Sequence, residues 1–200
     1  MKLVVLTGGI GAGKSAVTKR LAARGALIVD ADGIVRELQV PGAPLLQVLA
    51  DRFGAHIINE DGSLDRAGLA AIAFKDDDST EALNAIMHPA VRAEIRRRID
   101  AERATDRIVV LDTPLLTVID GLAVDGMVVV DTPIELAVAR VVEQRGLPED
   151  DVRARIDKQI SREERVALAD FVVDNGGDLP QLEAQVDALW AWIEALPTPN

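Results

Sequence analysis

Residues 8–15 read GGIGAGKS and set Gly8, Gly13, Lys14 and Ser15 at the G-x-x-x-x-G-K-[ST] spacing of a phosphate-binding loop. Glycines at 8, 11 and 13 let the backbone curl so that successive N–H groups face one anion. The helix start that follows adds its positive dipole end. Gly9, Gly11, Ala12, Gly13, Lys14, Ser15 and Ala16 are therefore the expected nucleotide contacts. Lys14 should bridge the β- and γ-phosphates, and Ser15 should offer its hydroxyl oxygen to Mg²⁺. Such a loop holds a phosphate donor without naming the acceptor. The stretch IVDADGIVRE (28–37) places Asp30 and Asp32 where a short apolar strand ends. A carboxylate there either caps the next helix or orients an attacking hydroxyl and accepts its proton; Asp30 suits both readings, and Asp32 suits the base. Asp112, at the end of IVVLD, is open between the metal's water shell and a turn acid before Pro114. The chain has no N-K-x-D segment to read guanine, which points to ATP.

These residues need a sheet to carry them. KLVVLT, ALIVDAD, IVVLDTP, GMVVVDTP and DFVVDNGG are short apolar runs separated by helical periodicity. That pattern predicts an α/β fold: a P-loop, three-layer arrangement around a parallel five-stranded sheet. Roughly 75 residues of helical patterning between the second and third runs exceed one crossover helix, so they predict a helical substrate-binding insertion. RVVEQRGLPEDDVRARIDKQISREER is dense in both charges and broken by Gly-Leu-Pro, which suits a small helical lid or a solvated hairpin. The expected division is a core of residues 1–30, 105–139 and 166–200, an insertion over 31–104 and a lid over 140–165. The tail PTPN is expected to fray.

Composition narrows the partners. The chain has 22 Lys and Arg against 33 Asp and Glu, a net charge of -11. That argues against nucleic acid as a partner but not against a small phosphorylated ligand met by a few local cations. No apolar run reaches the length of a membrane span, there is no secretory signal pattern, and there are no cysteines. The cytoplasm is the expected compartment, with a monomer or weak homo-oligomer the expected state.

LTGGIGAGKS, VDADGIVRE, PGAPLLQVLADRFG, DGSLDRAGLAAIAF, LNAIMHPAVR, DTPLL and ISREERVALADFVVDNGG, in this order and at these separations, resemble the dephospho-CoA kinase family from Lys2 to about Gly177. The resemblance implies transfer of the ATP γ-phosphate to the ribose 3′-hydroxyl of dephospho-CoA, the last step of coenzyme A synthesis, with Mg²⁺. It implies Asp32 as the base and Arg36, His88, Pro89, Arg92 and Leu115 on the acceptor side. For His88 the plain alternative is a half-buried histidine at a helix start, and for Arg92 a surface salt bridge. Arg140 and Arg162, at the two ends of the lid, would meet the β/γ-phosphates on closure, with Lys14 and Arg140 joining Asp32 in catalysis. Asn175 and Gly176 match the family's adenine-side segment, although Asn175 also reads as a turn residue. One departure stands out: the family follows its Pro-Leu-Leu with an apolar residue and then Glu, where this chain has Thr117 and Val118. Asp120 is the nearest acid that could substitute. Another small-molecule or nucleoside-monophosphate kinase is the rival reading within the class, and a nucleotide-dependent switch the rival outside it.

Overall fold

The computed structural model describes residues 1–114 and 119–197. Leu115, Thr117, Val118 and the tail from Thr198 lie outside the described residues. The elements, in chain order, begin with β1 (Lys2–Gly8), α1 (Lys14–Ala23), β2 (Leu27–Asp30), α2 (Ala31–Glu37) and α3 (Pro44–Phe53). A 3₁₀ turn (Ala55–Ile57), α4 (Arg66–Ala73), α5 (Asp77–Asp100), β3 (Ile108–Asp112) and β4 (Gly126–Asp131) follow. The chain closes with α6 (Ile134–Arg145), α7 (Glu149–Asp157), α8 (Arg162–Ala167), β5 (Phe171–Asp174) and α9 (Leu179–Ala195).

Two compact units divide the chain. The first holds the described residues of Met1–Val29, Ala101–Leu116 and Gly121–Asn200, and the second those of Asp30–Asp100 and Thr117–Asp120.

The first unit carries a parallel sheet in the order β2-β3-β1-β4-β5, with Val5 opposite Leu111 on β3 and Met127 on β4. Its strands are continuous apolar runs because both faces are dry: Leu3, Val4, Val5 and Leu6 are each at most 2% exposed. Val4, Leu6, Val110 and Val128 pack with Val17 and Leu21 of α1 and Leu182, Val186 and Leu189 of α9. Since every strand runs the same way, their C-terminal ends share one edge, the position open α/β sheets use for ligands. The phosphate loop follows β1 there, and β2, β3, β4 and β5 each end on an aspartate.

The charged segment 140–165 belongs to this unit and is not a compact body of its own. Arg140 lies inside α6, which continues to Arg145, where Gly146 in the left-handed region (φ 64°) stops it. Val138, Val141 and Val152 of α6 and α7 bury a small cluster together with Ile10 of the phosphate loop, Leu147 and Ile156.

In the second unit, α5 presents a buried stripe of Met87, Val91, Ile95 and Ile99, spaced four residues apart. Its partners α2, α3 and α4 supply buried Ile34, Leu46, Leu49 and Leu69. His88 is not at a helix start, since α5 runs through His88 and Pro89. Proline inside a helix costs ~3 kcal/mol or more, whereas each large side chain of the stripe gains about 1.5–3 kcal/mol on burial. The unbroken stripe therefore decides the helix, and Pro89 sits on its exposed side.

Candidate active site

The phosphate loop is held from behind by side chains distant in sequence. The Ala12 carbonyl accepts from Asn175 Nδ2 at 2.8 Å and from Thr132 Oγ1 at 3.1 Å. A trans peptide points its C=O and the next N–H in opposite directions, so fixing the Ala12 carbonyl turns the Gly13 N–H away from Asn175. Asn175 is itself fixed: its own carbonyl accepts from Arg140 Nη1 at 3.0 Å and Thr132 Oγ1 at 3.3 Å. Gly11 (φ 73°) and Gly13 (φ 86°) both lie in the left-handed region. A Cβ on Gly11 would stand 2.4 Å from the Ala137 carbonyl of α6, and one on Gly13 2.2 Å from Asn175 Nδ2. Only glycine satisfies both the turn and the close approach.

Lys14 opens α1 with its Nζ 3.8 Å from Asp112 Oδ1, both side chains largely buried. Ser15 is exposed on the same first turn, and the Ala16 N–H closes it onto the Gly13 carbonyl at 3.0 Å. Arg162, at the start of α8, grips Asp131 at the end of β4 through two bonds of 2.8 and 2.6 Å. Those bonds raise the arginine's pKa above its ordinary value. The Gly176 N–H donates to Asp174 Oδ1 at 2.8 Å.

Beside the loop a cleft of about 320 Å³ is lined by Gly9, Ala12, Asp131, Thr132, Gln159, Arg162 and Arg165, among others. Gln159 Oε1 accepts the Ile10 N–H of the loop at 3.2 Å. The Arg165 guanidinium lies against Gly9, where an added Cβ would meet its Nη1 at 2.8 Å. Sequence reasoning misses Thr132, Gln159 and Arg165. Thr132 had a signal in the repeated Asp-Thr-Pro that ends β3 and β4; Gln159 and Arg165 looked like the rest of a charged hairpin.

The second unit arranges the other expected residues. Asp30 occupies the N-cap position of α2 but makes no capping hydrogen bond; it accepts from Arg36 Nη2 at 3.1 Å. Asp32 lies exposed in the first turn of α2, one turn before Arg36. The end of α2 is tied to α5 by a Glu37–Arg98 ion pair. Buried Gln39 adds a second tie, accepting from Arg66 Nη1 at 2.6 Å and donating to Met87 Sδ at 3.7 Å. On α5, His88 and Arg92 are both half-buried, one turn apart. Arg92 Nη2 stands 3.5 Å from Asp120 Oδ2, while its Nε is buried with no hydrogen-bond partner among the described residues. Asp120 thus supplies an acid against Arg92, and Leu115 lies outside the described residues.

No group of three or more His, Cys, Asp or Glu side chains among the described residues could hold a metal ion. The donors beside the loop, the Ser15 hydroxyl and the Asp112 carboxylate, are hard oxygens, the class Mg²⁺ takes when it arrives with phosphates.

The sequence model of the family described as dephospho-CoA kinase matches residues 2–181. A dephospho-CoA kinase of Thermobifida fusca is 47% identical over 196 residues, covering 97% of this chain and 97% of that protein. One from Corynebacterium glutamicum is 49% identical over 196 residues, covering 96% and 98%. Among solved structures, TT1252 from Thermus thermophilus superposes with a TM-score of 0.79 at 30% identity, covering 96% of this chain and 97% of that one. The buttressed phosphate loop and the strand-end acids thus sit in a sequence matched to one family over nearly its whole length: the chain belongs to the dephospho-CoA kinase family.

Proposed function

We infer that the chain phosphorylates the ribose 3′-hydroxyl of dephospho-CoA with ATP, giving coenzyme A and ADP. The observation that carries this is a phosphate loop fixed by Asn175 and Thr132 and closely approached by α6 at Gly11, in a chain that follows this family over residues 2–181.

The loop amides and Lys14 hold the β- and γ-phosphates, so that charge building on the transferring group meets preorganised donors. The acceptor oxygen forms a bond to the γ-phosphorus, the bond from that phosphorus to the β–γ bridging oxygen breaks, and ADP leaves. Asp32 takes the hydroxyl proton, and Arg36, His88, Pro89 and Arg92 bind the acceptor. Arg140 fixes the loop through the Asn175 carbonyl and adds positive charge beside it. Asn175 and Gly176 form the adenine side, and Arg162 closes the 140–165 segment over the nucleotide. Ser15, with Asp112 beyond it, would hold Mg²⁺, which supplies charge neutralisation at the phosphates. The reading places the reaction in the cytoplasm, in a monomer or weak homo-oligomer. No helix among the described residues is long and apolar enough to cross a membrane.

The test is the purified protein with ATP, Mg²⁺ and dephospho-CoA, the product identified by mass. Phosphorylation of a nucleoside monophosphate instead of dephospho-CoA would overturn the reading.

A further inference from the structure

Gln159 Oε1 accepts two hydrogen bonds at once. One comes from the Ile10 N–H of the phosphate loop at 3.2 Å and the other from Arg165 Nη2 at 3.3 Å. A backbone amide and a guanidinium converging on one oxygen are the donors an anionic oxygen recruits.

The three arginines of the nucleotide side differ in what they hold. Arg162 is bonded twice to Asp131, and Arg140 donates to the Asn175 carbonyl. Among the described residues the Arg165 guanidinium donates only to neutral acceptors, Gln159 Oε1 and the Ile160 carbonyl at 2.8 Å, and no carboxylate pairs with it. It is half-buried against Gly9, and burial lowers its pKa from the ordinary value, opposed by the field of Asp131. A cation held partly out of water with no direct counter-charge gains when an anion arrives. The loop side of the pair is anchored as well, because the Ile10 side chain packs into the Val138–Val141–Val152 cluster.

We propose that the Ile10 amide and the Arg165 guanidinium form a phosphate-oxygen site of the bound nucleotide, and that Gln159 Oε1 stands in for that oxygen until ATP displaces it. Arg165 is then a phosphate ligand, and Gln159 is an internal competitor. The inference rests on the reading of the first unit as the nucleotide-binding unit.

The two roles predict opposite signs, measured by calorimetric titration of MgATP into each full-length variant. Gln159→Met removes the competing oxygen and should tighten ATP about 2- to 10-fold, the range of one neutral hydrogen bond. Arg165→Met removes a charged donor and should weaken ATP about 10- to 100-fold. A merely structural pair would weaken ATP in both variants. Weaker or unchanged binding by Gln159→Met overturns the stand-in, and binding by Arg165→Met within about twofold of the unmodified protein overturns the ligand. If Arg165→Met does not fold, the Gln159→Met titration decides alone. Turnover of dephospho-CoA by the unmodified protein is followed in parallel. Absence of ATP binding there overturns both this inference and the nucleotide reading, whereas ATP binding with same-sign variants overturns this inference only.

Discussion

Aspartates end β2, β3 and β4, and each meets a cation: Asp30 with Arg36, Asp112 with Lys14, Asp131 with Arg162. An acidic sheet edge in a chain of net charge -11 would repel a nucleotide, and each of these pairs offsets one of the negative charges. Lys14 is the cation inside the loop, and Lys14→Ala should cut turnover by roughly 10²–10³-fold, the scale of losing one preorganised transition-state donor. Asp32→Asn keeps size and hydrogen bonding but loses basicity. It should leave ATP affinity unchanged while lowering kcat by about 10²–10⁴-fold. Titration and steady-state rates separate the two, and transfer at the normal rate in Asp32→Asn would reduce Asp32 to a first-turn acid. Asn175→Ala removes one of two donors from the Ala12 carbonyl, and Thr132 still reaches it at 3.1 Å. Its cost should stay near about 0.5–1.5 kcal/mol in urea unfolding, with a larger loss of ATP affinity than of stability. A loss well above that range would mean that the carbonyl is orphaned and Thr132 does not compensate.

At the scale of elements, the sequence was most legible where the signal is local. Five apolar runs became five strands, and a glycine, Gly25 with φ 104°, stands just beyond the end of the first helix. What stayed hidden depends on partners far along the chain. Arg162 and Asp131 are 31 residues apart, Ile10 and Gln159 149, and no spacing rule links them. Helix limits failed for the same reason. Pro89 is a local stop signal, but the stripe of Met87, Val91, Ile95 and Ile99 is satisfied only by burial within the second unit. That helix also carries a network whose titration can be followed. Hydrogen bonds from Arg97 and Arg98 hold the Glu94 carboxyl down from 4.5 to about 2. A depressed carboxyl stabilises the fold fully above its unfolded pKa and stops doing so as pH falls through the folded one. The advantage of the unmodified protein over Glu94→Gln should therefore be constant above pH 4.5 and shrink between 4.5 and about 2. Urea midpoints of both proteins across that window check it, and an advantage that grows on acidification would reverse the sign.

At the scale of the molecule, the residues assigned to ATP and those assigned to the acceptor fall in different compact units. Gly9–Ala16, Arg140, Arg162, Arg165 and Asn175 belong to the first, and Asp32, Arg36, His88 and Arg92 to the second. A ligand that binds only the native form of one unit stabilises that unit by mass action. At free ATP about 100-fold above Kd the gain is about 2.7 kcal/mol. For amides that exchange only when the unit opens, this is about a 100-fold slowing. Val4 and Leu6 of β1 and Val128 and Val130 of β4, all at most 1% exposed, report on the first unit; Val91, Ile95 and Ile99 of α5 report on the second. MgATP without acceptor should slow hydrogen exchange by that factor in the first set and by less in the second. Lys14→Ala should abolish the gain at the same ATP concentration. Equal slowing in both sets would mean that the two units open as one cooperative body, and the division of donor and acceptor between separately stable parts would have to be given up.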